Sequence, residues 1–286
     1  MIEYPQYLHL PKEYIKVKIA EFLDEDIPNG DITTNSIISD SVYATAEIQA
    51  VEKLIFAGAE IIPYCFGDRC DINIHKSDGE LVKPNEILGK INGPAQIILS
   101  CERVMLNLIQ RLCGIASATH EYVQLANGYN IKILDTRKTT PGLRLFEKYA
   151  VAVGGAFNHR INLSEGILIK DNHIRSAGSV ISAIQSVIAS KSCFPMEIEV
   201  DSLDQIEDAI KMNVDGFLLD NMPPSLVRKA VSIIRESKHG EKKFIEASGG
   251  ITDKNMSLYL DTGINAISVG AITHSSPSKD IRLEFL

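Results

Sequence analysis

The tightest constraint on this chain is a series of short, wholly apolar runs in its second half, separated by helical patterns. The runs are Ile131–Leu134, Gly166–Ile169, Met196–Val200, Gly216–Leu219, Phe244–Ala247 and Ala266–Val269. Helical spacing fills gaps between them, as in Val180–Ala189, Leu203–Lys211 and Pro224–Glu236. Strands that are apolar on both faces and alternate with helices form a parallel sheet covered by helices. A short seventh strand is expected near Asn158–Leu163. An open doubly wound sheet and a closed barrel both fit this pattern, and the polar residues break the tie. Asp135, Thr136 and Arg137 follow the first run, Lys170 and Asp171 the second, Glu199 and Asp201 mark the third, and Asp220 and Asn221 the fourth. Ser248, Gly249 and Gly250 follow the fifth, and Gly270 the last. Barrels build their sites on the C-terminal ends of many strands, whereas an open sheet concentrates its site at one switch point. The even spread favours an α/β barrel, small for eight full units.

The composition changes character near residue 115, so the sequence divides into an N-terminal α/β domain, 1–114, and a barrel domain, 115–274. The first part opens with a helix from Pro11 to about Leu23, because proline is tolerated in a first turn. A polar turn, Asp24–Asn35, follows. Strand-like runs are expected at Ala44–Val51, Ile72–Ile74 and Glu86–Ile91, with a helix-like Gly58–Phe66 between them. The stretches GDRCD, KSDGE and KINGPA read as turns. From Ile97 to Ile109 apolar residues recur at helical spacing, so Glu102 and Arg103 ride on a helix.

The bulk properties exclude several classes. A formal net charge of −8 argues against a general nucleic-acid or anionic-membrane binder. The five cysteines, Cys65, Cys70, Cys101, Cys113 and Cys193, have no CxxC spacing. That disfavours zinc ribbons and disulfide frameworks and suits a reducing compartment. The first residues carry charges and prolines where a signal peptide needs an apolar run. No stretch approaches the roughly 18–20 apolar residues of a membrane helix. A cytoplasmic protein is the expectation.

Three constellations carry chemistry. Ile245–Thr252 (IEASGGIT) and Ile267–Thr273 (ISVGAIT) close the last two strands with small residues. Such loops let backbone amides approach a ligand, and barrels commonly bind phosphate between them. One loop alone would read as a tight turn; the pair favours a phosphorylated ligand. Between 136 and 175 lie Arg137, Lys138, Arg144, Lys148, Arg160, Lys170 and Arg175, with His159 and His173, against Asp135, Glu147, Glu165 and Asp171. A local positive excess in an acidic chain suggests a bound polyanion. A solvated helix face suits Lys148, Arg175 and Arg144 better; a ligand suits Arg137, Lys138, Arg160 and Lys170. Lys170 should point into the barrel mouth, where it needs a paired or bound anion. Glu199 and Asp220, beside a phosphate site, suit ribose hydroxyls or magnesium, while Asp201 reads as a helix cap. His9, His75, His120, His239 and His274 lack ligand spacing and are expected in surface or core roles.

Several segments together resemble the quinolinate phosphoribosyltransferases. They are DTRKTTPGLR (Asp135–Arg144), EKYAV, GG, NHR, LIKDNH (Leu168–His173), GDITT (Gly30–Thr34), ERVMLNLIQRLCGIAS (Glu102–Ser117), EIEVDS (Glu197–Ser202), LLDN (Leu218–Asn221) and EASGGI (Glu246–Ile251). The resemblance spans nearly the whole chain. It implies an N-terminal α/β sandwich domain and a C-terminal barrel of seven strands, with 275–286 returning to the first domain. The implied reaction joins quinolinate to phosphoribosyl pyrophosphate, giving nicotinate mononucleotide, pyrophosphate and carbon dioxide, in de novo NAD synthesis. Magnesium accompanies the pyrophosphate, and no organic cofactor is implied. By resemblance, Arg137, His159, Arg160 and Lys170 hold the quinolinate carboxylates beside Thr136. Arg103 reaches the same pocket from the partner of a homodimer with shared sites. Lys138 faces the pyrophosphate, Glu199 and Asp220 the ribose or its metal, and Ser248–Gly250 and Val269–Ala271 the 5′-phosphate. Hexameric rings of dimers occur in the family, and the sequence leaves that assembly open. Ala156 and Cys113 replace a frequent glycine and serine; both are small. The intact LIKDNH segment argues against the molybdenum-associated paralogues. Two other readings remain: a sugar-phosphate isomerase, which leaves the cations without a role, and a nonenzymatic quinolinate sensor.

Overall fold

The computed structural model describes residues 2–286, which separate into two compact units. The first in chain order comprises 7–120, 145–155 and 275–286; the second comprises 2–6, 121–144 and 156–274. Two short pieces therefore lie in the unit opposite to the one their place in the chain suggests: 2–6 and 145–155.

The unit that holds residues 7–120 starts with α1 (Lys12–Asp26), which Pro11 precedes, and α2 (Ile32–Ile37). The stretch expected as a turn thus contains a helix. Its cause is Asp31, whose carboxylate accepts from the Thr34 backbone N–H at 2.9 Å and caps the first turn. Strands β1 (Tyr43–Ala50), β2 (Leu54–Ile55), β3 (Asp71–Ile74), β4 (Leu81–Val82) and β5 (Ile87–Pro94) follow, with α3 (Ile62–Phe66) among them. KINGPA, expected as a turn, is mostly strand: β5 runs through Gly93 and Pro94. Gly93 serves packing rather than chain reversal, since a Cβ there would lie 2.5 Å from Cys70 Sγ. Helix α4 (Ala95–Leu125) continues well past Ile109, and α5 is Arg144–Val153.

The other unit contains β6 (Lys132–Leu134), β7 (Ile167–Ile169), β8 (Met196–Val200), β9 (Gly216–Asp220), β10 (Phe244–Ser248) and β11 (Ala266–Ser268). They form one sheet in the order β6-β11-β10-β9-β8-β7, and every pairing in it is parallel. Helices α6 (Asp171–Ala177), α7 (Val180–Ala189), α8 (Leu203–Ala209), α9 (Pro224–Glu236) and α10 (Ala271–His274) lie between or after these strands. The expected alternation is observed, with bounds shifted by a residue or two. The seventh strand is reduced to a single bridge: Phe157 pairs with Leu134, just ahead of the expected Asn158–Leu163. Beyond Phe157, side chains rather than a ladder hold the segment, as described below.

The last strand, β12 (Ile281–Phe285), pairs antiparallel with β1 in the sheet β12-β1-β5-β3. Gly114 makes that return possible inside α4. A Cβ there would lie 2.2 Å from the Pro277 carbonyl oxygen.

Candidate active site

The C-terminal ends of the parallel strands enclose one cavity of about 680 Å³, to which β7–β11 and the segments after β6 and at 159–160 all contribute. This shared cavity is what a barrel predicts and a single switch point does not. Thr136, Arg137, Lys138, His159, Arg160, Lys170, Glu199, Asp220, Ser248, Gly249, Gly250, Gly270 and Ala271 all line it. Two expected residues do not. Val269 is 1% exposed, its side chain turned into the core. Arg103 lies on α4, exposed, in the other unit.

One wall is cationic. Arg160 is 5% exposed, and its guanidinium donates to the Gly166 carbonyl at 2.8 Å. The Arg137 Nε is buried without a hydrogen-bond partner among the described residues. Burial, followed by the Arg160 and Arg144 charges, holds the Arg137 guanidinium below the usual arginine range. Clustered like charges with an unsatisfied donor are favoured by an anion that they can share. Lys138 is fixed at its backbone: its N–H donates to Thr136 Oγ1 at 3.0 Å, and its carbonyl accepts from Thr273 Oγ1 at 2.8 Å.

Carboxylates line a neighbouring part of the cavity. Glu199 is ion-paired with Lys170, which resolves how that lysine is accommodated at the barrel mouth. The Asn221 side-chain amide donates to Asp220 at 2.6 Å. Both carboxylates end neighbouring strands and open to the cavity, a donor set that suits a hard cation shared with ligand oxygens. Beside them the Ser248–Gly250 turn demands glycine. Gly249 has φ +87° and a Cβ there would meet Asn221 Oδ1 at 2.3 Å; Gly250 has φ +62°.

At and beneath the floor lie residues to which the sequence reading gave no role. Glu197 and Glu246 are fully buried, and burial pushes both carboxyls up to about 7. Ser268 donates its hydroxyl to Glu246. His159 Nε2 lies 3.6 Å from a carboxylate oxygen of each. These three groups could in outline hold a metal. The hydrogen bonding opposes it: the Arg160 backbone N–H donates to His159 Nδ1 at 2.8 Å, so the ring proton sits on Nε2 and blocks the ligating lone pair. His274, expected at the surface or in the core, also lines the cavity. A Cβ on Gly270 would stand 3.0 Å from Lys138 Cδ and 3.3 Å from the His274 ring. The sequence reading gave Glu246 no role, although it opens the EASGGI segment, and it expected His274 at the surface or in the core.

The chain is similar to known proteins over both of its domains. Residues 31–113 match the N-terminal domain, and 115–284 the C-terminal domain, of quinolinate phosphoribosyl transferase. The chain is 42% identical over 274 residues to the protein named as a probable nicotinate-nucleotide pyrophosphorylase (carboxylating) of Bacillus subtilis, covering 94% of this chain and 93% of that one. It is 36% identical over 272 residues to the nicotinate-nucleotide pyrophosphorylase (carboxylating) of Mycobacterium leprae, covering 93% and 95%. The solved nicotinate-nucleotide pyrophosphorylase of Francisella tularensis superposes with a TM-score of 0.92 at 36% identity, over 99% of this chain and 100% of that one. With both domains matched and a barrel mouth walled by cations, carboxylates and glycine turns, the chain belongs to the quinolinate phosphoribosyl transferase family of enzymes.

Proposed function

We propose that the chain transfers the phosphoribosyl group of phosphoribosyl pyrophosphate to the ring nitrogen of quinolinate, releasing pyrophosphate and carbon dioxide and forming nicotinate mononucleotide for NAD synthesis. The observation that carries this reading is the cationic wall. Arg137, Arg160 and Lys170 face one cavity, and Arg137 keeps a buried donor unused. A pyridine with two adjacent carboxylates supplies the missing acceptors, and guanidinium groups match carboxylates in bidentate fashion. His159 accepts the Arg160 backbone N–H at Nδ1, which fixes the ring orientation it presents to the substrate.

The rest of the cavity suits the second substrate. Ser248–Gly250 and Gly270–Ala271 receive the 5′-phosphate, Lys138 faces the pyrophosphate, and Glu199 and Asp220 receive the ribose hydroxyls or their magnesium. Magnesium, when bound, neutralises charge on the departing pyrophosphate. As that group leaves, the ribose carbon becomes cation-like. Carboxylates on one wall and cations on the other stabilise both developing charges. The walls also align the ring nitrogen with the ribose carbon, and such positioning carries much of the rate. Lys170 must leave Glu199 in part to meet a substrate carboxylate, so binding exchanges one ion pair for another.

Arg103 is assigned to the site of the partner in a homodimer, which its exposed place on α4 permits. A cytoplasmic location is assigned on the free cysteines, three of them buried, which suit a reducing compartment. No described helix is long and apolar enough to cross a membrane. The deciding experiment incubates purified protein with quinolinate, phosphoribosyl pyrophosphate and magnesium and follows nicotinate mononucleotide. Turnover of nicotinate, with none of quinolinate, overturns the substrate assignment.

A further inference from the structure

The most weakly laddered part of the cavity wall is the segment that carries His159 and Arg160. The sheet strands pair through two to five residues each, whereas this segment joins the sheet at Phe157 alone. Beyond it, side chains do the holding. Asp135, fully buried, accepts from the His159 backbone N–H at 2.7 Å and from the Asn158 side-chain amide at 2.8 Å.

The second grip comes from the start of the chain. Gln6 Oε1 accepts from the Asn158 backbone N–H at 2.8 Å. Gln6 Nε2 donates to the Asn158 carbonyl at 3.2 Å and to the Tyr4 carbonyl at 2.9 Å. Both backbone groups of Asn158 are thus taken by one side chain, as a neighbouring strand would take them. Tyr4 stacks on His159, with ring centroids 4.7 Å apart and planes 22° apart. Ile2 is buried with Leu134, Phe244 and Ala266, near the starts of β10 and β11, and Tyr4 packs against that cluster. Two glycines make room at the strand starts. A Cβ on Gly166 would lie 3.0 Å from Tyr4 Cε1, and one on Gly216 would lie 2.6 Å from Ile2 Cδ1. The segment therefore enters at the N-terminal ends of the strands and reaches the floor of a site built on their C-terminal ends.

We propose that Ile2–Gln6 is a positioning element of the quinolinate site: Tyr4 and Gln6 hold Asn158–Arg160 in place and so set the His159 ring and the Arg160 guanidinium that receive the substrate. This rests on the quinolinate reading above. Tyr4 and Gln6 act through His159 and Arg160 and line the cavity nowhere. The element bears on one substrate only, because the Lys138, Asp220, Ser248 and Gly270 walls are anchored independently of it.

The test uses the full chain with Tyr4→Ala, Tyr4→Phe and Gln6→Ala. Steady-state KM is measured for both substrates, and amide hydrogen exchange is followed at 159 and 160 without ligand. Tyr4→Ala and Gln6→Ala should raise the quinolinate KM roughly threefold to tenfold, the worth of a stacked aromatic pair for Tyr4 and of a hydrogen bond for Gln6. The phosphoribosyl pyrophosphate KM should stay unchanged, and exchange at both amides should accelerate. Tyr4→Phe should restore parental values, since the Tyr4 hydroxyl has no hydrogen-bond partner among the described residues. Gln6 is exposed, so its truncation removes no core packing and keeps the test open if Tyr4→Ala folds poorly. Unchanged exchange, or equal loss of both substrates in step with the thermal midpoint, overturns the proposal. A parent that binds no quinolinate overturns the functional reading instead, while the exchange measurement still decides the role of the segment.

Discussion

Arg160 does two things with one guanidinium: it holds the Gly166 carbonyl and presents charge to the cavity. Arg160→Ala should therefore weaken quinolinate binding by about 1.5–3 kcal/mol, the worth of a charge-assisted hydrogen bond, and phosphoribosyl pyrophosphate binding far less. Calorimetric titration with each substrate checks this, and equal losses would place Arg160 elsewhere. Glu246 makes a pH prediction. Its carboxyl rises from 4.5 to about 7 on folding, so between those values the folded chain binds the proton more tightly than the unfolded chain. Raising the pH through that window therefore removes stability. The thermal midpoint of the ligand-free protein should fall from pH about 5 to about 7, and less steeply in Glu246→Gln. Identical slopes would mean that Glu246 keeps an ordinary pKa. At this scale the sequence was legible where one polar residue punctuates an apolar run, as at Lys170, Glu199 and Asp220. It assigned no role to Glu246 and placed His274 away from the cavity, since both positions depend on which strands become neighbours, and it could not show that Val269 faces the core.

At the scale of elements, the Ser248–Gly250 turn shows how backbone geometry writes itself into sequence. Gly249→Ala must adopt a left-handed backbone and also displace the Asn221 side chain. The cost should be about 1–3 kcal/mol of stability, with phosphoribosyl pyrophosphate affinity falling more than quinolinate affinity; thermal melts and titrations measure both. The same residue type misleads in KINGPA, which lies in β5 although glycine and proline usually signal a turn. There glycine answers to Cys70 across the sheet, a contact between residues far apart in sequence. The α2 helix was hidden for the opposite reason: Asp31 and the threonines look like turn residues until the cap is seen to start a helix. The seventh strand failed as a strand because Gln6 and Asp135 take over the hydrogen bonds of a ladder, which periodicity does not register.

At the scale of the molecule, each site of the proposed homodimer needs an arginine from the partner. Arg103→Ala and Lys170→Ala should each abolish turnover alone, and mixed dimers of the two should regain part of it, because one of their sites carries neither change. No recovery in verified mixed dimers would remove Arg103 from the shared site. The barrel and its mouth were legible because strand–helix alternation and strand-end chemistry are local signals, whereas the placement of 2–6 and 145–155 depends on packing alone. In the proposed reaction the cationic wall receives a dicarboxylate that loses one carboxyl group during transfer. Quinolinate labelled with ¹³C in the carboxyl group beside the ring nitrogen tests it directly, with phosphoribosyl pyrophosphate and magnesium present. Labelled carbon dioxide and nicotinate mononucleotide should appear in equal amounts; a nucleotide product that retains the label would overturn the assignment.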